Sequence, residues 1–266
     1  MKDIKNKVVL ITGAGMGMGK LFALKFADVS SRLVLVDINK QSLEETASEI
    51  KADVHTYVCD VSNKNDVHHL SDRVHKDVGQ VDIIVNNAGV LYGTPFFKST
   101  DESIERTIDV NIKGAMLVTR TFLPDLISKK QGHIINMASA SSLTGVPDLA
   151  AYSTSKHGMK GFSESLRLEM KKYGFHNIRI TLVFPHFVNT GMVKGVNSIV
   201  LLNPDKVIQK VFNAMLRNKL YVYLPWWVKF VPLMLSLLPV SVGDWVLFKT
   251  GVDRTMERWT GHGTGH

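Results

Sequence analysis

The feature that most constrains this chain is a repeated alternation of short β-branched runs with longer segments of helical period. Residues 7–12, 32–37, 54–59, 81–86, 132–138 and 177–184 are rich in Val and Ile and read as strands. Residues 17–30, 41–51, 64–78, 102–129 and 150–173 read as helices, followed by a helix at 203–217 and a last strand at 220–224. Several strands are apolar without alternation, as a sheet covered on both faces requires. Repeated strand–helix–strand units with right-handed crossovers give an α/β fold, a single doubly wound domain with a parallel β-sheet flanked by helices. No repeat or low-complexity linker interrupts residues 1–224, so they are expected to form one domain.

Composition narrows the class. With 45% hydrophobic and 21% charged residues the chain is ordinary globular material, which disfavours disorder, collagen and coiled coil. The single Cys59 excludes an internal disulfide and a cysteine-based zinc cluster, and no metal site is expected. The N-terminus runs into a strand with no apolar segment, so neither signal peptide nor N-terminal anchor is expected, and a cytoplasmic location is. A net charge of +8 raises nucleic acid and anionic membrane as partners. The Lys and Arg residues are spread along the chain without clustered, interleaved aromatics, so nucleic acid is not expected.

Beyond residue 224 the chain becomes strongly apolar, with prolines at 225, 232 and 239, and residues 225–266 read as a C-terminal extension. Its longest uncharged piece, residues 230–243, has 14 residues, short of the ~20 a spanning helix needs. Three readings stand for it: a helical pair packed on the domain or a partner subunit, a lid over a substrate, or peripheral membrane contact through 225–248. In the last, Trp226, Trp227, Phe230 and Leu233 dip into the interface, with Lys219 and Lys229 beside anionic headgroups. From Arg217 onward six Lys/Arg stand against three Asp/Glu, which turns the basic balance toward a membrane surface. The polar tail after Thr250 is expected to fray.

The first strand ends in Thr12-Gly13-Ala14-Gly15-Met16-Gly17-Met18-Gly19. This is not G-x-G-x-x-G in either frame but T-G-x-x-x-G-x-G. The physical demand is similar: a sharp strand-to-helix turn, close backbone approach to a pyrophosphate, and helix N–H groups facing the anion. Asp37, 18 residues after Gly19 at the end of the second strand, can accept from a ribose 2′-hydroxyl and would repel a 2′-phosphate. NAD is therefore expected over NADP, with Lys20 and Lys40 the nearest cations for a phosphate. Asp60, followed by Val61, either bonds the adenine amine or caps a helix, for which Ser62 or Asn63 is better suited.

Asn86-Asn87-Ala88-Gly89 closes the fourth strand with small residues against which a cofactor can lie. Tyr152 and Lys156, at i and i+4, share one face of a helix. A free tyrosine titrates near pH 10. The Lys156 ammonium and a positively charged nicotinamide ring would favour the phenolate and tune it toward a base that works at neutral pH.

Thr12-Gly13 with Gly17 and Gly19, Asp60, Asn86–Gly89, Asn111, Ser139, Tyr152 with Lys156, and Pro185 with Thr190 together resemble the short-chain dehydrogenase/reductase family, over residues 1 to about 224. The resemblance implies a Rossmann-type domain in which Tyr152 is the general acid/base and Lys156 holds the nicotinamide ribose. It implies that Ser139 orients the substrate oxygen, with Ser141 and Ser142 as spares, and that Asn111 holds a water relaying protons from Lys156. Pro185, Val188 and Thr190 carry over as nicotinamide-side contacts. His186 stands where the family usually has glycine, crowding the nicotinamide end or lining the substrate entrance. The long helices 102–129 and 150–173 imply a homodimer or homotetramer.

Asp37–Lys40 with 43–47, 87–92 and 187–191 resemble the branch of type 11 17β-hydroxysteroid dehydrogenases and related retinol dehydrogenases, whose usual N-terminal anchor is not expected here. That implies a hydrophobic alcohol or ketone substrate, with Leu91, Tyr92, Leu143, Val146, Phe187, Met192, Val193 and Val196 as pocket walls. A dinucleotide-sensing binding protein on the same fold is the alternative. A sensor has no need of Asn111, Ser139, Tyr152 and Lys156 together.

Overall fold

The computed structural model describes residues 4–29, 31–198 and 200–260. Seven strands, β1 (Val8–Thr12), β2 (Arg32–Asp37), β3 (Val54–Val58), β4 (Ile83–Asn86), β5 (Gly132–Met137), β6 (Ile178–Pro185) and β7 (Tyr221–Leu224), form one sheet in the order β3-β2-β1-β4-β5-β6-β7. All pairings are parallel. The order reverses between β1 and β4, which opens a crevice at the carboxyl ends of those strands.

The helices are α1 (Gly17–Ala27), α2 (Lys40–Ser48), α3 (Lys64–Asp77), α4 (Asp101–Ile108), α5 (Ala115–Ser128), α6 (Ala150–Lys172), α7 (Pro204–Leu216), α8 (Val231–Leu237) and α9 (Val240–Lys249). Strand residues divide by the period-2 rule. Val9, Ile11, Leu33 and Leu35 pack with Phe22 and Phe26 of α1 and Phe212 of α7, whereas Leu10, Val34, Ile84 and Ile134 pack with Val67, Val118 and Leu166 of α3, α5 and α6. Each central strand thus buries both faces, which is why β1, β4 and β5 show no polar alternation. Helix starts follow local chemistry: the side chains of Asn39, Asn63, Thr100 and Asn203 accept from the first-turn N–H groups of α2, α3, α4 and α7.

Two expectations are corrected. The helix expected over 102–129 is broken by a π-helical turn at Asp109–Gly114, so that α4 and α5 are separate. Hydropathy period does not register one wider turn, yet π-turns are frequent at functional positions and this one holds the buried Asn111. The tail beyond Thr250 does not fray over residues 251–260. Gly251 adopts φ 75°, a 3₁₀ turn follows at Val252–Arg254, and Met256 packs on Leu91 and Leu149 with Trp259 alongside. Trp259 Nε1 donates to the Met192 carbonyl at 2.9 Å, and backbone bonds join Asn197 N to Thr255 O and Thr260 N to Lys194 O. Residues 261–266 of the expected frayed tail, and Ser30 of the first expected helix, lie outside the described residues. No helix among the described residues is long and apolar enough to cross a membrane.

Candidate active site

The glycine turn is a packing requirement before it is anything else. Gly13 has φ 65°, and a Cβ there would stand 2.9 Å from Ala88 Cα; a Cβ on Gly19 would collide with the Gly13 carbonyl. Thr12 Oγ1 accepts from the N–H groups of Asn87 and Ala88 at 3.1 Å each, and Asn87 Nδ2 donates to the carbonyls of Thr12 and Gly13. The glycine turn and the 86–89 turn are therefore one hydrogen-bonded unit at the ends of β1 and β4. Met16 is the N-cap of α1, with no side-chain cap and no acidic residue in the first turn. Those uncapped N–H groups leave a partial positive charge suited to an anion.

Asp37 holds this turn from the other side. One carboxylate oxygen accepts from Gly15 N at 2.8 Å, the other from Asn39 N at 3.0 Å. Each oxygen keeps a lone pair for another donor. Lys20 and Lys40 pair with Glu49 and Glu44. Asp60 accepts from Ser62 N and Oγ and, at 2.8 Å, from Arg106. Burial works against its charge, but the Ser62 and Arg106 hydrogen bonds hold it below the usual carboxylate range. Asn63 caps α3, as expected of Ser62 or Asn63.

A cavity of about 810 Å³ runs from this unit across the sheet edge. Met18, Asn87, Gly89, Ser139, Tyr152, Lys156, Pro185, Val188 and Thr190 all line it. Lys156 is buried and its Nζ donates to the Met137 carbonyl at 2.9 Å, 5.6 Å from the centre of the Tyr152 ring. Ser139 caps a 3₁₀ turn at Ala140–Ser142, its Oγ accepting from Ser141 N at 3.2 Å, and its hydroxyl also forms a hydrogen bond with Tyr152. Asn111 Oδ1 accepts from Val90 N at 2.7 Å, and its Nδ2 donates to Val90 O and Ser155 Oγ. It flanks Gly89 on the side where Lys156 Nζ also lies.

The expected lowering of the Tyr152 pKa is not produced by the chain's own residues. Burial pushes the phenol up to about 12 against an opposing hydrogen bond with Ser139, and burial brings Lys156 down to about 8. Burial is the larger influence on the phenol, and it outweighs any attraction between phenolate and ammonium.

Of the expected pocket walls, Leu91, Val146, Phe187, Met192 and Val193 line the cavity. Tyr92, Leu143 and Val196 do not: Leu143 packs with Met159, Leu182 and Phe184, and Val196 with Leu91 and Met256. Gly13, Gly15, Met16, Gly17, Gly19, Asp37, Asp60, Val61, Ala88 and Asn111 are also outside its walls, although the would-be Cβ of Gly17 points to Thr190 at 3.8 Å. His186 does line the cavity, its Nδ1 donating to the Val200 carbonyl at 3.2 Å and its ring against Phe187 and Trp227. Burial lowers its pKa.

Sequence reasoning missed two sets of residues. A buried chain runs from Thr119 through Asn86 and Asn136 to Ser163, tying β4 and β5 to α5 and α6 beneath the site. The other set is the individual side chains Val231, Met234, Val246 and Leu247, which line the cavity from the segment that the sequence offered only as a whole, as one of three readings, for a lid.

A family model described as short chain dehydrogenase matches residues 7–199. The chain is 38% identical over 265 residues to human (Homo sapiens) epidermal retinol dehydrogenase 2, covering 96% of this chain and 86% of the relative. To human estradiol 17-beta-dehydrogenase 11 it is 38% identical over 243 residues, 90% of this chain and 81% of the relative. Among solved structures, a short-chain dehydrogenase/reductase from Burkholderia phymatum in complex with NAD superposes with a TM-score of 0.81 at 26% identity, over 92% of this chain and 97% of that one. A metagenomic short-chain oxidoreductase in complex with NADP gives 0.72 at 28% identity, over 84% and 98%. With its doubly wound sheet, its glycine turn and a matching family model over most of its length, the chain belongs to the short-chain dehydrogenase family.

Proposed function

We propose that this protein is an NAD(H)-dependent oxidoreductase that interconverts a hydrophobic primary or secondary alcohol and its carbonyl. The observation that carries the reading is one continuous cavity in which Ser139, Tyr152 and Lys156 meet Met18, Asn87 and Thr190, with walls that are mostly apolar. The uncapped start of α1 suits a pyrophosphate, and Asp37, with lone pairs to spare, suits a ribose diol rather than a 2′-phosphate. When bound, NAD accepts hydride from the substrate carbon and brings a positive ring beside the phenol.

The chain's own residues then handle the proton. Tyr152 takes the hydroxyl proton during oxidation and returns it during reduction. The Ser139 hydroxyl, hydrogen-bonded with Tyr152 before substrate enters, donates to the substrate oxygen, where negative charge develops. Lys156 holds the nicotinamide ribose. Asn111, saturated by Val90 and Ser155 on its amide nitrogen, fixes the loop beside Lys156 and keeps a lone pair on Oδ1 for a relay water. Asp60 and Val61 sit on the adenine side. Residues 1–224 form the dehydrogenase domain and 225–266 a C-terminal extension that meets a membrane peripherally through 225–248, and the protein works as a homodimer or homotetramer.

Tyr152→Phe tests the reading. Turnover followed at the reduced-nicotinamide absorbance band, over a panel of steroid, retinoid and aliphatic alcohols, is expected to fall by about 10²–10⁴-fold. NADH binding should be retained. Undiminished turnover would rule Tyr152 out as the proton carrier, and a dinucleotide sensor would show binding without turnover in either form.

A further inference from the structure

We infer that the α8–α9 pair is the face on which this protein sits against an anionic lipid surface, and that its substrate cavity opens into that surface. The inference rests on the reading that the cavity takes a hydrophobic alcohol, and it adds where that alcohol comes from.

Both helices are apolar on opposite faces. Their inner faces supply Val231, Met234, Val246 and Leu247 to the cavity wall, and Gly243 of α9 is buried against Leu235 of α8. Their outer faces present Leu233, Leu237, Trp245 and Phe248, and the preceding 3₁₀ turn presents Trp226 and Phe230. Leu237 is 75% exposed and Trp226 68%. A helix apolar all round is normally buried on every side, so the outer face lacks its partner. An exposed apolar cluster of this extent marks an interaction surface.

Charge decides which partner. Lys229 Nζ lies 4.7 Å from the Phe230 ring centre and 5.9 Å from that of Trp226, and Lys249 Nζ lies 5.7 Å from that of Trp245. Asp244 is the only acid between Pro225 and Thr250. Indole rings with ammonium groups held over them suit the boundary between acyl chains and anionic headgroups. The expected cation at Lys219 is replaced: Lys219 precedes β7, at the opposite end of that strand from Pro225, and Lys249 takes its place. The mouth argues against a second copy of the chain as occupant. Trp227, Phe230 and Lys249 are exposed and also line the cavity, so a protein seated there would stop its opening, whereas a fluid acyl layer would feed it.

The test is flotation of the full chain with phosphatidylcholine vesicles, with and without phosphatidylserine, in low and high salt. The protein is expected to float with the serine-lipid vesicles, less with phosphatidylcholine alone, and less at high salt. The combined exposed-residue variant Trp226→Ser, Leu233→Ser, Leu237→Ser and Trp245→Ser, none of which lines the cavity, is expected to float at least tenfold less while binding NADH with unchanged affinity. Brominated phosphatidylcholine should quench the tryptophan fluorescence of the unmodified protein, which reports contact without any substitution. Absence of flotation and quenching in a protein that binds and turns over NADH overturns this inference and leaves the oxidoreductase reading standing. Flotation without NADH binding supports the surface and sinks that reading. Vesicle-independent association of the protein that is lost in the variant, without flotation, makes the face a subunit interface and overturns the lipid proposal.

Discussion

Asp37 spends its carboxylate on two backbone donors, Gly15 N and Asn39 N, before any ligand arrives. Its removal should therefore act twice, loosening the glycine turn and lifting the repulsion of a 2′-phosphate. Asp37→Ala is expected to weaken NADH binding by about tenfold, the scale of one charge-assisted hydrogen bond, and to narrow the preference over NADPH. Titration of both by fluorescence checks this; an unchanged preference would remove Asp37 from cofactor selection. His133 makes a prediction in pH. Thr181 Oγ1 donates to the Lys219 carbonyl, so His133 Nε2 must be the donor to Thr181, and the ring is neutral. Burial drives its pKa from 6.5 to about 3. Between those values the unfolded chain binds the extra proton, so its contribution to stability is full above about 6.5 and is lost as pH falls toward about 3. Urea midpoints should drop on acidification through this window, and drop less in His133→Asn. The side chains proposed for catalysis could be singled out because hydroxyl, phenol and amine at fixed spacing carry their chemistry in their identity, and the structure brings Ser139, Tyr152 and Lys156 to one cavity. Their energetics were not legible, since the rise of Tyr152 to about 12 depends on burial that spacing does not encode.

At the scale of elements, the glycine turn is held by contact. Gly19→Ala puts a methyl group onto the Gly13 carbonyl, and overpacking of this kind costs about 1–3 kcal/mol. The variant is expected to melt earlier and to bind NADH at least tenfold more weakly, both readable in one calorimetric series with ligand. A melting point equal to that of the parent would mean that the turn has slack. Strand and helix alternation was readable throughout because a parallel sheet buried on both faces must be written in β-branched runs. The π-helical turn at Asp109–Gly114 was not readable, because one extra residue in a turn leaves the apolar period almost intact. Nor was the Thr119–Asn86–Asn136–Ser163 chain, whose members lie on four elements that only the fold brings together.

Across the whole molecule, the site is closed by chain that the alternation pattern does not reach. Met256 is buried against Leu91 and Leu149 although its neighbours in sequence are polar. Met256→Ala is expected to destabilise the protein by about 2 kcal/mol, at the low end for a truncated core methionine, in a urea melt; a change within error would mean that residues 251–260 are not integral to the fold. The tail looked frayed in sequence because its apolar residues, Val252, Met256 and Trp259, span only two turns and run into a Gly- and His-rich end, too short a run to mark an element. Those residues stitch the tail to the segment after β6 through Asn197–Thr255, Lys194–Thr260 and Met192–Trp259. The two strips of chain are thus a single graft. A chimera that borrowed residues 191–198 from a relative while keeping its own 251–260 would mismatch that seam, whereas both strips exchanged together would preserve it and leave Val188, Thr190 and the glycine turn untouched.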